Sequence, residues 1–282
     1  MKHYLKKNWQ KLFLGLSLLL LVIIWISPLV FSAFSSFKTN KELKKFGSLR
    51  NVLPIDWTWE NYVWVWNNAS NPLPNMILNS MIVSLSQVIL CLFVASASAY
   101  AYERLEFKGK EALFLTLRGL GMIPGVIALV PQYLLYDAIG MTDSLWVLIT
   151  PYIGNVFNIF LLRNFLHGIP FELDEAARID GANDFIIYTR ILLPCLYPAM
   201  TVVALFTFTE AWNDLMWPSL AVTTPTKLTI AAGISLLNDA HGGRPERVLA
   251  ACMLSAIPTF AIYMFTRKYF LTGLSIGAGI KG

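Results

Sequence analysis

Residues 170–194 read PFELDEAARIDGANDFIIYTRILLP, a polar passage set between two apolar runs. Pro170 suits the first turn of a helix, where a missing N–H costs little. Glu172, Asp174 and Glu175 follow at once, at the end where the helix dipole favours negative charge. Arg178 stands toward the other end, and Gly181 suits the left-handed position just past a helix C-terminus. Asn183 and Asp184 are both good N-caps. A second short helix is therefore expected through Phe185, Ile186, Ile187 and Ile191, stopping at Pro194. The passage reads as two short helices joined by a tight glycine turn. Ala176, Ala177, Gly181 and Ala182 leave little side chain at the joint, so another surface can approach its backbone closely.

Outward from this passage the chain is oily. Of its 282 residues 56% are hydrophobic and 14% charged, against about 25% charged in an ordinary soluble domain. A membrane span needs roughly 20 mainly apolar residues, and six runs qualify: residues 12–34, 76–102, 112–136, 144–162, 195–212 and 248–266. The first is too long for a signal-peptide core and lacks a small-residue cleavage site. It is read as a retained span with its N-terminus in the cytoplasm. Residues 38–74 form a polar excursion carrying Trp57, Trp59, Tyr62, Trp64 and Trp66, side chains that favour the membrane interface. The Asn68-Ala69-Ser70 triplet within it is too short a glycosylation signal to use. Small residues from Ala95 to Ala101 suit close packing of the second span. Gly121-Met122-Ile123-Pro124-Gly125 predicts packing and a kink in the third. Residues 228–237 are apolar but too short to span, which suggests a re-entrant or surface helix. The glycine-rich tail, residues 273–282, is expected to be flexible or ordered by a partner. With the passage placed inside, thirteen Lys and Arg residues fall in the cytoplasm and eight outside, with Arg118 in a span, a lean in the expected direction.

The polar groups near the spans are few. Arg118 lies in the third run; an intramembrane charge marks function by default, but snorkelling to the inner interface is cheaper and is the reading taken. Glu210, Asn213 and Asp214 close the fifth run, and two readings stand level: a solute path or the outer headgroup region. Cys91, Cys195 and Cys252 lie in apolar runs without metal spacing and read as small buried hydrophobes. His3, His167 and His241 are scattered, one at the N-terminus and two in loops, and make neither triad nor metal cluster. No phosphate-cradling loop of the G-x-x-x-x-G-K-[ST] type occurs, so any ATP chemistry must come from another polypeptide. The net charge of +5 carries no basic cluster interleaved with aromatics, so no nucleic-acid partner is expected.

The opening passage also carries a family resemblance. Glu175-Ala176-Ala177, three residues, Gly181, nine residues, Ile191, one residue, then Leu193-Pro194 matches the "EAA" motif of ABC-importer permeases at every specified position, seven residues over twenty. Most of the chain resembles the carbohydrate-uptake permeases, in the group with the smaller membrane subunit of maltose-type importers. Ser27-Pro28, Ser36-Phe37-Lys38, Trp59-Glu60-Asn61-Tyr62, Asn79-Ser80, Ala99-Tyr100-Ala101 with Arg104, Ile123-Pro124, Pro131, Trp212-Asn213-Asp214, Trp217-Pro218, Ile257-Pro258, Tyr269-Phe270, Gly273-Leu274 and Lys281-Gly282 carry it in order. Arg118 and His241-Gly242-Gly243-Arg244 depart from the pattern. The resemblance implies an all-α integral membrane protein with the type I ABC-importer permease fold: six transmembrane helices and a cytoplasmic coupling helix. It implies an N-terminal segment 1–74, a transmembrane domain 75–267 and a cytoplasmic tail 268–282. Glu175, Ala176, Ala177, Asp180, Gly181, Ala182, Ile191, Leu193 and Pro194 would couple to an ATPase, with Glu210, Asn213, Asp214 and Arg118 as a candidate solute path. The implied partners are a second permease, two ATP-binding cassette subunits that bind ATP-Mg, and an extracellular solute-binding protein. The chain itself would hold no cofactor and no catalytic site, and would lie in the bacterial cytoplasmic membrane. Two alternatives are kept: a permease for another solute, such as a polyol phosphate or amino acid, and a secondary transporter. The first should show buried cations facing a cavity, the second internal repeats and mid-span ionisable groups.

Overall fold

Long apolar runs become long helices. The structure, a computed structural model, describes residues 2–45, 52–68, 70, 72–240 and 244–279, with side chains described in 11–45, 52–68, 70, 72–237 and 244–266. Arg50, Ala69, His241-Gly242-Gly243 and Lys281-Gly282 lie outside the described residues, and the side chains of Lys2, His3, Lys6, Lys7, Arg267 and Lys268 do also. Among the described residues there is no strand.

The chain divides into two units, residues 1–69 with 236–256 and residues 70–235 with 257–282. In the first unit α1 (Lys2–Ser36) supplies an apolar stretch, Lys11–Ser36, long enough to cross a membrane. The short α2 (Asn40–Lys44) and α3 (Glu60–Asn67) follow. The buried Asn61 amide fixes α3 to the end of α1 by donating to the Ser36 and Lys38 carbonyls at 2.8 and 2.9 Å. The Trp57, Trp59 and Tyr62 rings gather around Phe37 at centroid distances of 5.4, 4.9 and 4.9 Å. Part of the excursion's aromatic surface is thus used in packing rather than laid along an interface.

The second unit is organised around α4 (Leu73–Arg104), 32 residues long. Its small residues Ala95, Ser96 and Ala99 are buried, as close helix approach requires. Around Cys91, Ala95 and Ala99 pack Ile159, Leu162 and Leu166 of a later helix and Leu196, Ala199 and Val203 of another. The third apolar run is two helices, α5 (Lys110–Gly121) and α6 (Gly125–Ala138), bent by 97° where a kink was expected. Pro124 bars Ile123 from helical geometry, and Gly121 lets α5 close on Val156, whose Cβ would lie 3.3 Å from an added methyl. The fourth run is also broken. The helix α7 (Leu145–Ile149) and a 3-10 turn, Thr150–Tyr152, meet α8 (Val156–His167) at 42°. His167 is therefore the last residue of a helix and not a loop residue, because the apolar spacing Ile159, Leu162, Leu166 carries the helix to it.

Two further expectations need correction. The helix after Asn183 does not stop at Pro194. It runs through α10 (Asp184–Ile186), a π-helical stretch Ile187–Leu192 and α11 (Leu193–Asn213), so the fifth span extends over Asp184–Asn213 rather than starting at residue 195. The π stretch accommodates Pro194, whose ring and missing N–H spoil a regular α turn. Cys195 on α11 is exposed, while Cys91 is buried and Cys252 half-buried, because Cys195 sits one position before the inward-facing Leu196. After α12 (Met216–Ala221) and α13 (Ile230–Ala240), α14 (Pro245–Gly279) carries the last apolar run, its membrane-length stretch being Pro245–Thr266.

Candidate functional site

The knuckle between α8 and α11 is built from its backbone outward. Pro170 stays outside the helix, two residues before its start, and α9 (Glu172–Ile179) begins without a side-chain cap. Glu172, Asp174 and Glu175 place negative charge in its first turn instead. At the other end Gly181 has φ +84°. The Gly181 N–H donates to the Arg178 carbonyl at 3.0 Å and the Ala182 N–H to the Ala177 carbonyl at 2.9 Å, the paired bonds of a Schellman turn. Asn183 then caps the next helix, its Oδ1 accepting from the Ile186 N–H at 2.9 Å. Arg178 and Asp184 form an ion pair across the turn.

Only Asp174 and Ala177 of α9 are buried. Glu175, Ala176, Asp180 and Gly181 are exposed, Ala182, Ile191 and Leu193 half-buried, and Pro194 exposed. A methyl added to Gly181 would meet nothing within 4 Å. Beside these positions Ile179 is 87% and Phe185 72% exposed, so the outward face of the knuckle pairs acid with bare apolar surface.

The inward face is held by three residues of α4 at helical spacing, Ser96, Tyr100 and Arg104, which lie on one side of that helix. The Arg104 Nε–Asp174 Oδ2 distance is 3.0 Å, with both side chains buried. Arg104 Nη2 also donates to the Ile169 carbonyl at 2.7 Å, and the guanidinium lies 4.0 Å from the Phe171 ring centroid. Burial raises the Asp174 carboxyl above its ordinary range in spite of Arg104 and Arg178. One turn back, the Tyr100 hydroxyl donates to the Asp184 carbonyl at 3.2 Å, and its ring packs 5.2 Å from that of Tyr188. The Tyr188 hydroxyl bonds Ser96 Oγ at 2.8 Å. Sequence reasoning named Asp174 among the dipole-facing acids and Arg104 in the family pattern, and did not join them; the Tyr100–Arg104 spacing at the end of an apolar run is the signal that points to the pair.

The other candidate residues gather elsewhere in the second unit. Glu210 and Asp214 line a cavity of about 150 Å³ with Gln87, Tyr152 and Ala211. Glu210 also lines an adjoining space of about 500 Å³ with Asn155, Phe157, Asn158, Phe206, Thr209 and Asn213. The Tyr152 hydroxyl donates to Asp214 Oδ2 at 3.1 Å, and the Asn158 amide donates to Thr207 Oγ1 at 3.1 Å. Arg118 stands apart, exposed on α5 with its guanidinium 5.1 Å from the Phe160 ring centroid, and lines neither cavity. Gln87, Tyr152, Asn155 and Asn158 escaped the sequence reading because each is a single polar residue inside an apolar run.

The chain matches the family described as binding-protein-dependent transport system inner membrane component over residues 11–269. It is similar to the galactooligosaccharides transport system permease protein GanQ of Bacillus subtilis, 32% identical over 96% of this chain and 95% of that one. It is also similar to the maltodextrin transport system permease protein MdxG of the same organism, at 30% identity over 96% of this chain and 95% of that one. Among solved structures it is similar to a chain of a bacterial ABC transporter involved in the import of the acidic polysaccharide alginate. There the TM-score is 0.76 at 22% identity, covering 92% of this chain and 95% of that chain, a likeness of fold.

Proposed function

The chain belongs to the family of binding-protein-dependent transport system inner membrane components, and on that premise we propose that it is the membrane-spanning permease of an ATP-driven carbohydrate importer. It is an all-α, multi-pass membrane protein with an ABC-importer permease fold. The observation that carries the solute class is the naming of relatives at 30% identity and above, matched over nearly the whole chain, for galactooligosaccharides and maltodextrin.

The knuckle is the coupling element in this reading. Its exposed Glu175, Ala176, Asp180 and Gly181, with Ile179 and Phe185 beside them, seat in a cleft of a separate ATPase, and Ala177, Ala182, Ile191, Leu193 and Pro194 shape the joint behind them. Small residues let the partner approach, and Glu175 meets a cation there. The ATPase binds ATP-Mg and supplies hydrolysis; this chain contributes no cofactor site. Two ATPases, a second permease and an extracellular solute-binding protein complete the machine. The N-terminus and knuckle lie in the cytoplasm. Closure of the ATPases shifts the permeases between inward-open and outward-open states, and solute biases that equilibrium only through unequal affinity for the two. The test is reconstitution in liposomes with the partner subunits: ATP-dependent uptake of a labelled oligosaccharide is expected. No uptake of any saccharide by an assembled, ATP-hydrolysing complex would refute the reading.

A further inference from the structure

From the two adjoining cavities we infer that this chain itself holds part of the solute site, a Glu210-centred subsite selective for neutral, polyhydroxylated solutes over anionic ones. The inference rests on the carbohydrate reading and narrows it. Depth is the first argument. Gln87, in the wall of the smaller cavity, lies fourteen residues after Leu73 and seventeen before Arg104, the middle of α4. Glu210 and Asp214, at the end of the Asp184–Asn213 span, therefore lie level with the middle of α4. The break in the fourth span lies at the same place: Tyr152 lines the smaller cavity and Asn155 the larger, one on each side of the bend. Non-helical backbone at membrane depth is tolerated only where protein buries it or it borders a water-filled cavity. In transporters, interrupted helices commonly frame the solute.

The lining sets the chemistry. Glu210 and Asp214 accept hydrogen bonds, the Gln87 and Asn213 amides keep an oxygen and a second N–H beyond their bonds to the Leu148 and Thr209 carbonyls, the Thr209 hydroxyl offers both senses, and no Lys, Arg or His lines either cavity among the described residues. Hydroxyl groups, which donate and accept, suit such a wall; a uronate or phosphate ester would face two carboxylates with no counter-charge. The Phe157 and Phe206 rings, 6.4 Å apart, give the apolar face of a sugar ring something to lie against. The larger space falls in the range of small-molecule sites, about 300–1,000 Å³. Glu210, without an ion-pair or hydrogen-bond partner among the described residues, borders both spaces and is free to take solute hydroxyls.

The assembled importer with its binding protein tests this. Uptake of labelled maltotriose, galactotriose, arabinotriose and digalacturonate is measured, along with binding-protein-stimulated ATP hydrolysis, for wild type, Glu210→Gln and Glu210→Lys. Wild type is expected to import at least one neutral sugar and exclude digalacturonate. Glu210→Gln is expected to lower neutral-sugar uptake at saturating binding protein roughly tenfold, the loss of one charge-assisted hydrogen bond, with ATPase stimulation retained. Unchanged uptake in both variants overturns the subsite alone. Import of digalacturonate as fast as the neutral sugars overturns the selectivity. Failure of Glu210→Lys to assemble with the second permease makes the carboxylate an intersubunit ion-pair partner and overturns the inference. An assembled, ATP-hydrolysing wild type that imports no saccharide overturns the carbohydrate reading itself and the subsite with it, an outcome visible without any variant.

Discussion

Asp174→Ala tests how firmly the knuckle is tied to the membrane helices. The substitution leaves Arg104, whose side chain is 1% exposed, without its carboxylate. Breaking a buried pair by removing one partner costs about 3–5 kcal/mol. Arg104 keeps its bond to the Ile169 carbonyl and its place beside the Phe171 ring, so the lower end, about 3 kcal/mol, is expected. An eight-residue helix such as α9 has no stability of its own in water, and Asp174 and Ala177 are its buried positions. A loss of that size shifts the docked population of α9 by about a hundredfold. The assay is the reconstituted importer: uptake and binding-protein-stimulated ATP hydrolysis are both expected to fall, with Glu175→Cys losing its crosslink to the ATPase in the Asp174→Ala background. A double replacement, Arg104→Met with Asp174→Leu, removes both charges, and its abundance is expected to exceed that of either single variant, the signature of a coupled pair. Wild-type uptake and stimulation in Asp174→Ala at normal membrane abundance would refute the argument that this pair positions the knuckle.

Three other outcomes are expected. Gly181→Val places a β-branched residue at φ +84°, a strain of roughly 1–2 kcal/mol, and puts bulk into the open space beside the turn, where the ATPase is proposed to seat; uptake is expected to vanish while the protein still reaches the membrane, as scored by transport and membrane immunoblot. Glu175→Lys sets a like charge against the cation proposed on the ATPase and is expected to abolish stimulated hydrolysis, with normal stimulation ruling the contact out. Asp143, held below its ordinary carboxyl range by the Thr224 hydroxyl and backbone N–H with help from Lys227, contributes stability that is present above its unfolded pKa and lost as pH falls toward its depressed folded value. Asp143→Asn is therefore expected to lower the melting temperature at pH 7, with the gap to wild type closing only below about pH 4.

Much of this was legible in the residues because its causes are local. Gly181, Asn183 and the acidic first turn announce a glycine turn between two helices, and both caps form as the residue types require. Apolar run length gave the spans within a few residues, except where the determinant was not local. Pro194 reads as a stop because an α turn cannot absorb it, yet the π stretch Ile187–Leu192 carries the helix through. That stretch is anchored by Tyr188 bonded to Ser96, a residue ninety-two positions away. The 97° break was legible as a kink, but not its size, since a Gly–Pro pattern marks where a helix fails and not where the next one points.

The two functional regions share their helices, and this gives the molecule a mechanical logic. α4 carries Ser96, Tyr100 and Arg104 against the knuckle and Gln87 against the cavity. The seventeen residues from Gln87 to Arg104 span about 25 Å at 1.5 Å per residue. α11 begins at the knuckle and ends beside Glu210 and Asn213 at the cavity. Between these ends the two helices pack through Cys91, Ala95 and Ala99 against Leu196, Ala199 and Val203, a seam whose three alanines have no rotamer with which to absorb a shift. A displacement imposed on α9 through Asp174 and Asp184 therefore has little compliance to spend on the way. On the proposed reading it reaches Gln87 and Glu210 as relative motion of the cavity walls. Enlarging the seam with Ala95→Leu is accordingly expected to uncouple ATP hydrolysis from uptake, and unchanged coupling in a folded, assembled Ala95→Leu complex would show that the motion travels by another route.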